Sequence, residues 1–135
     1  LILLKRKCTI IKSSEIYPRH ICIDIESFNE ISDVIFQNPK YQEKFDYITG
    51  RILEQQNMYY DDYVRIHNDS GIKVSEMRFF ANGDNARVYC REITLNGNLF
   101  CIIMARAIPK KKSQKIDRKI EQIIDAIKKY EYEIE

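Results

Sequence analysis

The chain has 135 residues, a formal charge of +2, and 44% hydrophobic residues with nine Tyr and six Phe. That suits one domain with a real core and excludes a disordered or low-complexity chain. No apolar run reaches membrane-spanning length, and Leu1–Leu4 followed by Lys5-Arg6-Lys7 is in the wrong order for a signal peptide.

Residues 1–12 place Leu, Ile and Thr around that basic triplet and predict a strand. A second strand is predicted within Tyr17–Ile25, beginning after Pro18, with Ile21, Ile23 and Ile25 on one side and His20, Cys22 and Asp24 on the other. Ser27 followed by Glu30 reads as a capping box, and Phe28, Ile31, Val34 and Ile35 follow at helical spacing. Asn38-Pro39 ends that helix and opens another, with Tyr41, Phe45, Ile48, Ile52 and Gln55 on one face. Tyr63–Ile66 is a short extended stretch, Asp61-Asp62 reads as a solvated turn, and Asn68-Asp69-Ser70-Gly71 is a turn.

A meander then runs to Pro109. Asn96-Gly97 is a two-residue hairpin signal, because both positions accept positive φ. Pairing outward from Leu95 opposite Asn98 sets Arg91 against Ile102, Tyr89 against Met104 and Arg87 against Arg106. Val88, Cys90, Leu99, Cys101, Ile103 and Ala105 then form a core face. The strand from Leu99 is apolar on both faces and belongs at the centre of the sheet. Across the 81–86 turn, setting Phe80 opposite Arg87 buries Met77 and Phe79, and puts Arg78 beside Tyr89 and Glu76 beside Arg91. Ser113 is a candidate cap for a last helix, with Ile116, Ile120, Ile123, Ile127, Tyr130 and Ile134 as its apolar stripe.

Arg78, Arg87 and Arg106 thus share one face with Tyr89. Like charges directly opposite each other destabilise a sheet, so an anion between the arginines is expected, and the guanidinium fork matches phosphate oxygens. The plainer reading is that these arginines pair with Glu76, Glu92 or acidic helices. Lys110, Lys111 and Lys112 follow, and the last helix would begin beside them, a favourable place for phosphate. The charge is unevenly spread. Residues 24–62 carry three basic and nine acidic side chains (−6), whereas residues 73–119 carry eleven basic and four acidic (+7). An anionic partner for the second half follows from that split. Cys8, Cys22, Cys90 and Cys101 lack metal-ligand spacing and read as buried small hydrophobes. No metal site or cofactor motif is present in the sequence.

The order Glu76-Met77-Arg78, Arg87-Val88-Tyr89-Cys90, the apolar run Phe100–Ala107, then Lys111-Lys112-Ser113-Gln114-Lys115 and a helix resembles the RelE/HigB-like toxins of bacterial type II toxin–antitoxin systems. The resemblance spans roughly Phe28 to Tyr130. It implies a single α+β domain over 1–135 with an extended N-terminal strand segment: a twisted antiparallel meander with two N-terminal helices and a C-terminal helix packed on it. It implies a cytoplasmic, metal-independent endoribonuclease that cuts mRNA on the ribosome and is inhibited by a cognate antitoxin protein. The alternative is a non-catalytic module of the same fold that binds RNA or protein. By position, Arg78 and Arg87 match the family's meander arginines and Lys110–Lys112 its basic stretch. Arg65 and His67 fall where related toxins carry basic or histidine residues. The catalytic candidates are Arg87, Arg78, Arg106, Tyr89 and His67; the RNA-binding candidates are Lys110, Lys111, Lys112, Lys115 and Arg91. Unlike some members, the chain has no histidine near the end of the last meander strand.

Overall fold

The computed structural model describes residues 2–80, 82–111 and 117–135. Among these the chain forms an α+β fold of three helices and one curled, half-barrel sheet of seven strands. In chain order the elements are β1 (Leu4–Ser13), β2 (Arg19–Asp24), α1 (Phe28–Ile35), α2 (Pro39–Glu54), β3 (Tyr63–Asp69) and β4 (Ile72–Phe79). They continue with β5 (Ala86–Leu95), β6 (Leu99–Ile108), α3 (Arg118–Lys128) and β7 (Tyr130–Ile134).

The sheet order is β3-β4-β5-β6-β2-β1-β7. The four consecutive strands β3 to β6 form the expected antiparallel meander, but the sheet as a whole is mixed. β2 lies parallel to β6, and β7 lies parallel to β1. The parallel step at β2 is a consequence of chain length: α1, α2 and three strands separate β2 from β6, ample for a crossover. β6 sits between β5 and β2 and is buried through most of its length, as its two-sided apolar sequence requires.

Two layers of helix cover the sheet. On one face, Ile31 and Ile35 of α1 and Phe45, Ile48 and Ile52 of α2 pack on Ile21, Ile23, Met77, Val88, Cys90, Ile102 and Met104. On the other, Ile120, Ile123, Ile124 and Ile127 of α3 pack on Val74, Tyr89, Ala105 and Ile108. Cys8, Cys22 and Cys101, on three adjacent strands, fill a small third cluster with Ile103. All four cysteines are buried and none is in a disulfide.

Local chemistry explains where the structure departs from the expected pattern. Ser27 caps α1 by position but makes no side-chain cap bond, so the capping box does not form. Glu30 is drawn away to β6, where its carboxylate accepts from Arg106 Nε at 2.9 Å and from the Ala107 amide at 2.9 Å. Asn38 does cap α2, accepting from the Lys40 amide at 2.9 Å, with Pro39 at the first helical position. The apolar stripe read as one long helix is divided. α3 stops at Lys128, and Tyr130–Ile134 is a strand whose alternating YEYEI pattern puts Tyr130 inward and Glu131 and Glu133 outward. The predicted Ser113 cap lies outside the described residues. The cap of the described helix is Asp117, which accepts from the Ile120 amide at 2.9 Å.

The β5–β6 register also differs. The Asn98 amide closes the turn onto the Leu95 carbonyl at 3.2 Å, yet the ladder pairs Leu95 with Leu99, so three residues stand in the loop. A bulge between Tyr89 and Cys90 shifts the pairing again. Arg87 therefore faces Ile108, and Arg106 faces Tyr89; the expected Arg87–Arg106 pair does not exist. The β4–β5 faces are as expected, but offset by two residues: Arg78 lies opposite Arg87, and Glu76 opposite Tyr89 rather than Arg91. β4 ends early because Phe80 turns out of the ladder at φ 51°.

Candidate nucleic-acid interface

Alternation along β4 puts Val74, Glu76 and Arg78 on the face that α3 covers. The same rule puts Arg87, Tyr89 and Arg91 there from β5. Two like-charged arginines, Arg78 and Arg87, are thereby set directly opposite each other. The anion that makes this tolerable is internal. Glu76 Oε1 accepts from Arg78 Nε at 2.8 Å and lies 3.4 Å from Arg87 Nε. Lys111 Nζ reaches Glu76 Oε2 at 3.6 Å.

Lys111 arrives there through Asn85. This residue adopts φ 58°, a left-handed conformation that Asn tolerates better than most residues, in the turn before β5. Its side-chain amide donates to the Lys111 carbonyl at 3.0 Å, and its own carbonyl accepts from the Lys111 amide at 3.2 Å. This reciprocal pair pins the chain leaving β6 to the loop between β4 and β5. Three cations from three segments thus converge on one carboxylate.

Burial sorts the members. Arg87 is fully enclosed, and Glu76 and Lys111 nearly so, but the Arg78 side chain keeps 34% of its surface exposed. Burial pulls the Arg87 guanidinium below its ordinary value; Glu76 opposes this and Arg78 adds to it. The Tyr89 phenol is pushed well up, first by burial and then by Glu76, against the smaller opposing effect of Arg87. At neutral pH Tyr89 is therefore a buried, protonated phenol.

Arg78 opens onto a hollow of about 580 Å³ that it lines together with Lys44, Tyr47 and Arg51 of α2, Tyr60 to Asp62, and Phe80. Asp61-Asp62 is a turn, as expected, but Asp62 is not left to solvent. It is bound by Lys44 Nζ at 3.2 Å and by Arg51, and the Arg78 amide donates to its carbonyl at 2.9 Å. Of these groove residues only Arg78 is a site candidate by sequence. The available signal was Tyr47, a large aromatic set off the apolar stripe of α2.

The remaining predicted residues are dispersed. Arg106 is tied to Glu30. Arg91 donates to the Ile127 carbonyl at 3.3 Å and the Tyr130 carbonyl at 2.9 Å, so it caps the end of α3 and holds β7 instead of facing a ligand. His67, on edge strand β3, lines a separate hollow with Ile66 and with Glu121, Ile124, Asp125 and Lys128 of α3. Lys110 is exposed after β6. Lys112 and Lys115 lie outside the described residues. The expected anion site at the start of the last helix is met by Asp117, whose carboxylate already takes an N-terminal amide of α3.

A second buried carboxylate, Glu92, occupies the opposite face, among the residues that meet α1 and α2. It accepts from Tyr59 Oη at 3.0 Å, from Arg65 Nη2 at 2.8 Å and Nε at 3.0 Å, and from Tyr63 Oη. Tyr63 Oη also pairs with Ser75 Oγ at 2.7 Å. Arg65 is thus a ligand of Glu92, and burial with Glu92's charge pushes both Tyr59 and Tyr63 upward.

Among the described residues no group of His, Cys, Asp and Glu is arranged to hold a metal ion. No helix there is long and apolar enough to cross a membrane. No protein-family model, curated protein or solved structure matches this chain.

Proposed function

We propose that this protein is the toxin of a RelE/HigB-like type II toxin–antitoxin pair, an endoribonuclease that cuts mRNA on the ribosome. The observation that carries the reading is the convergence of Arg78, Arg87, Tyr89 and Lys111 on Glu76, since four residues named by the motif order meet at one place. The element order, with two helices before the antiparallel run β3 to β6 and one after it, is also that of the resemblance.

In this reading a scissile phosphate at the mouth of the cluster meets Arg78, the exposed cation. Arg87 and Glu76 act behind it as positioning residues: Glu76 orients the Arg78 fork, and Arg87 pairs with Glu76 from the buried side. The 2′-hydroxyl gives up its proton, its oxygen bonds to phosphorus, and the bond from phosphorus to the 5′ oxygen breaks. That oxygen takes a proton, leaving a cyclic phosphate and a 5′-hydroxyl end. Arg78 stabilises the charge that grows on the phosphate oxygens. The proton steps fall to the lysines after β6, of which Lys110 is exposed. The ribosome, a cognate antitoxin and a cytoplasmic setting belong to the same proposal.

A second reading, a non-catalytic RNA- or protein-binding module of this fold, is favoured by the complete burial of Arg87 and Tyr89. Induction of the protein in a bacterial host, beside Arg78→Ala and Lys110→Ala, separates the two. The toxin reading expects growth arrest and new 5′ ends inside translated messages, both lost with Arg78→Ala. Normal growth and intact messages in cells holding folded protein would overturn it and leave the binding module.

A further inference from the structure

The hollow beside Arg78 continues along α2 into a smaller one of about 290 Å³, with Lys44, Tyr47 and Phe80 shared by both walls. The result is a trough, open along its length, of which the proposed reaction uses only Arg78. Its walls alternate rings and cations. Tyr47 is 58% exposed and Tyr60 42% exposed, unusual for rings that could be buried. The Arg51 guanidinium lies 4.0 Å from the Tyr60 ring centre and 5.0 Å from that of Tyr47, and donates to Tyr47 Oη at 3.0 Å. Lys40 Nζ stands 4.3 Å over Phe80. Phe80 itself holds a positive φ, a strained conformation for a bulky residue, and this turn sets its ring in the trough.

Rings held rigid by cations and left open to solvent are platforms for planar, sequence-independent stacking. Charge favours the same occupant, but weakly. Lys40, Lys44, Arg51 and Arg78 stand against Glu43, Asp61 and Asp62, and Asp62 is bound to Lys44 and Arg51. A duplex, recognised mainly through its phosphates, gains little here; an unpaired strand with exposed bases gains from every ring.

We propose that this trough binds single-stranded RNA by stacking unpaired bases on Tyr47, Tyr60 and Phe80, next to the phosphate held at Arg78. The inference rests on the RNA reading above and names the form in which the RNA is bound. The arrangement delivers a splayed strand to Arg78 from the α2 side. Because the net charge of the walls is small, affinity falls only gently with salt, unlike that of a purely electrostatic site.

The test uses the full chain and a short fluorescent 2′-O-methyl oligonucleotide, which lacks the nucleophile and is not cut. Tyr47→Ala and Tyr60→Ala are each expected to weaken binding about tenfold, from the measured worth of a stacked base. Tyr47→Phe, which keeps the ring, should bind like the parent. Tyr17→Ala, at a ring in a different hollow, should change nothing. A duplex of the same sequence should bind at least tenfold more weakly than the single strand. Parent-like affinity in the two trough variants, or losses of the same size with Tyr17→Ala, overturns the trough. So does an absence of binding by the parent protein. Cleavage of a translated message is scored in parallel: if the parent cuts while the oligonucleotide ignores the trough, the trough has failed and the ribonuclease reading has not.

Discussion

Two buried glutamates, Glu76 on β4 and Glu92 on β5, lie on opposite faces of the same sheet and are solvated by the protein in opposite ways. Glu92 is enclosed by two tyrosine hydroxyls and the fork of Arg65, a mostly neutral shell that fixes its geometry. Glu76 is surrounded by cations, one of which, Arg78, remains open to solvent and to the trough. A shell of short, directed hydrogen bonds makes a structural hub, whereas a shell of long cationic side chains makes an electrostatic site whose outer member can be shared with a phosphate. The difference teaches that burial of a charge does not by itself mark a working site; under the proposed function, the exposure and chemistry of its partners do.

Alkali should break this distinction most widely. Tyr59 and Tyr63 at Glu92, and Tyr89 at Glu76, all titrate above the ordinary tyrosine value of 10.0 in the folded chain. Raised folded values mean that their stabilising contribution is complete below pH 10 and is lost as pH rises above it. Each group should cost about 1.4 kcal/mol per pH unit beyond that point. Denaturant midpoints measured between pH 8 and 11.5 check the sign, and tyrosinate absorbance should show these groups ionising only with unfolding.

Among substitutions, Glu92→Ala should be the most damaging, by about 3–5 kcal/mol, because it strands Arg65 and the fully buried Tyr63. Arg87→Ala comes next at about 2–4 kcal/mol, since it opens a cavity and removes one of the partners of Glu76. Glu30→Ala should cost about 1 kcal/mol, because its bonds to Arg106 and the Ala107 amide are part-exposed. Arg78→Ala should cost less than about 1 kcal/mol, its side chain being a third exposed. Urea titrations rank the four, and a reversal of Arg87 and Arg78 would contradict the division of roles.

Much of this architecture could be read from residues alone, for identifiable reasons. Proline and asparagine punctuate α2, and Ser70 and Gly71, both at positive φ, make the β3–β4 turn that Asn68-Asp69-Ser70-Gly71 announces. Alternation correctly assigned Met77 and Phe79 to the core. The failures have equally plain causes. Tyr130 and Ile134 fit helical spacing as well as strand alternation, and only the pairing with β1 decides between them. Asn96-Gly97 announces a turn but not the extra loop residue that shifts the register. Of the two readings of the arginines, the plainer one describes their contacts: Arg78 and Arg87 pair with Glu76, and Arg106 with Glu30 of helix α1. Glu76 lies two positions from Arg78 on the same face and was therefore visible in principle. Glu92 follows Val88 and Cys90 on an inward-facing alternation and carried the same signal. Tyr60, Phe80 and α2 meet only in three dimensions, so the trough had no sequence signature beyond the misplaced ring of Tyr47.

The division between the two carboxylates is tested most directly by one paired experiment. Arg78→Ala and Arg65→Ala each remove a single arginine from one glutamate. Both are assayed for urea stability and for cleavage of a translated message, read as new 5′-hydroxyl ends. The account predicts that Arg78→Ala abolishes cleavage with stability nearly unchanged, while Arg65→Ala loses stability and still cuts under conditions where it is folded. Cleavage that survives Arg78→Ala, or that disappears in folded Arg65→Ala alone, would contradict it.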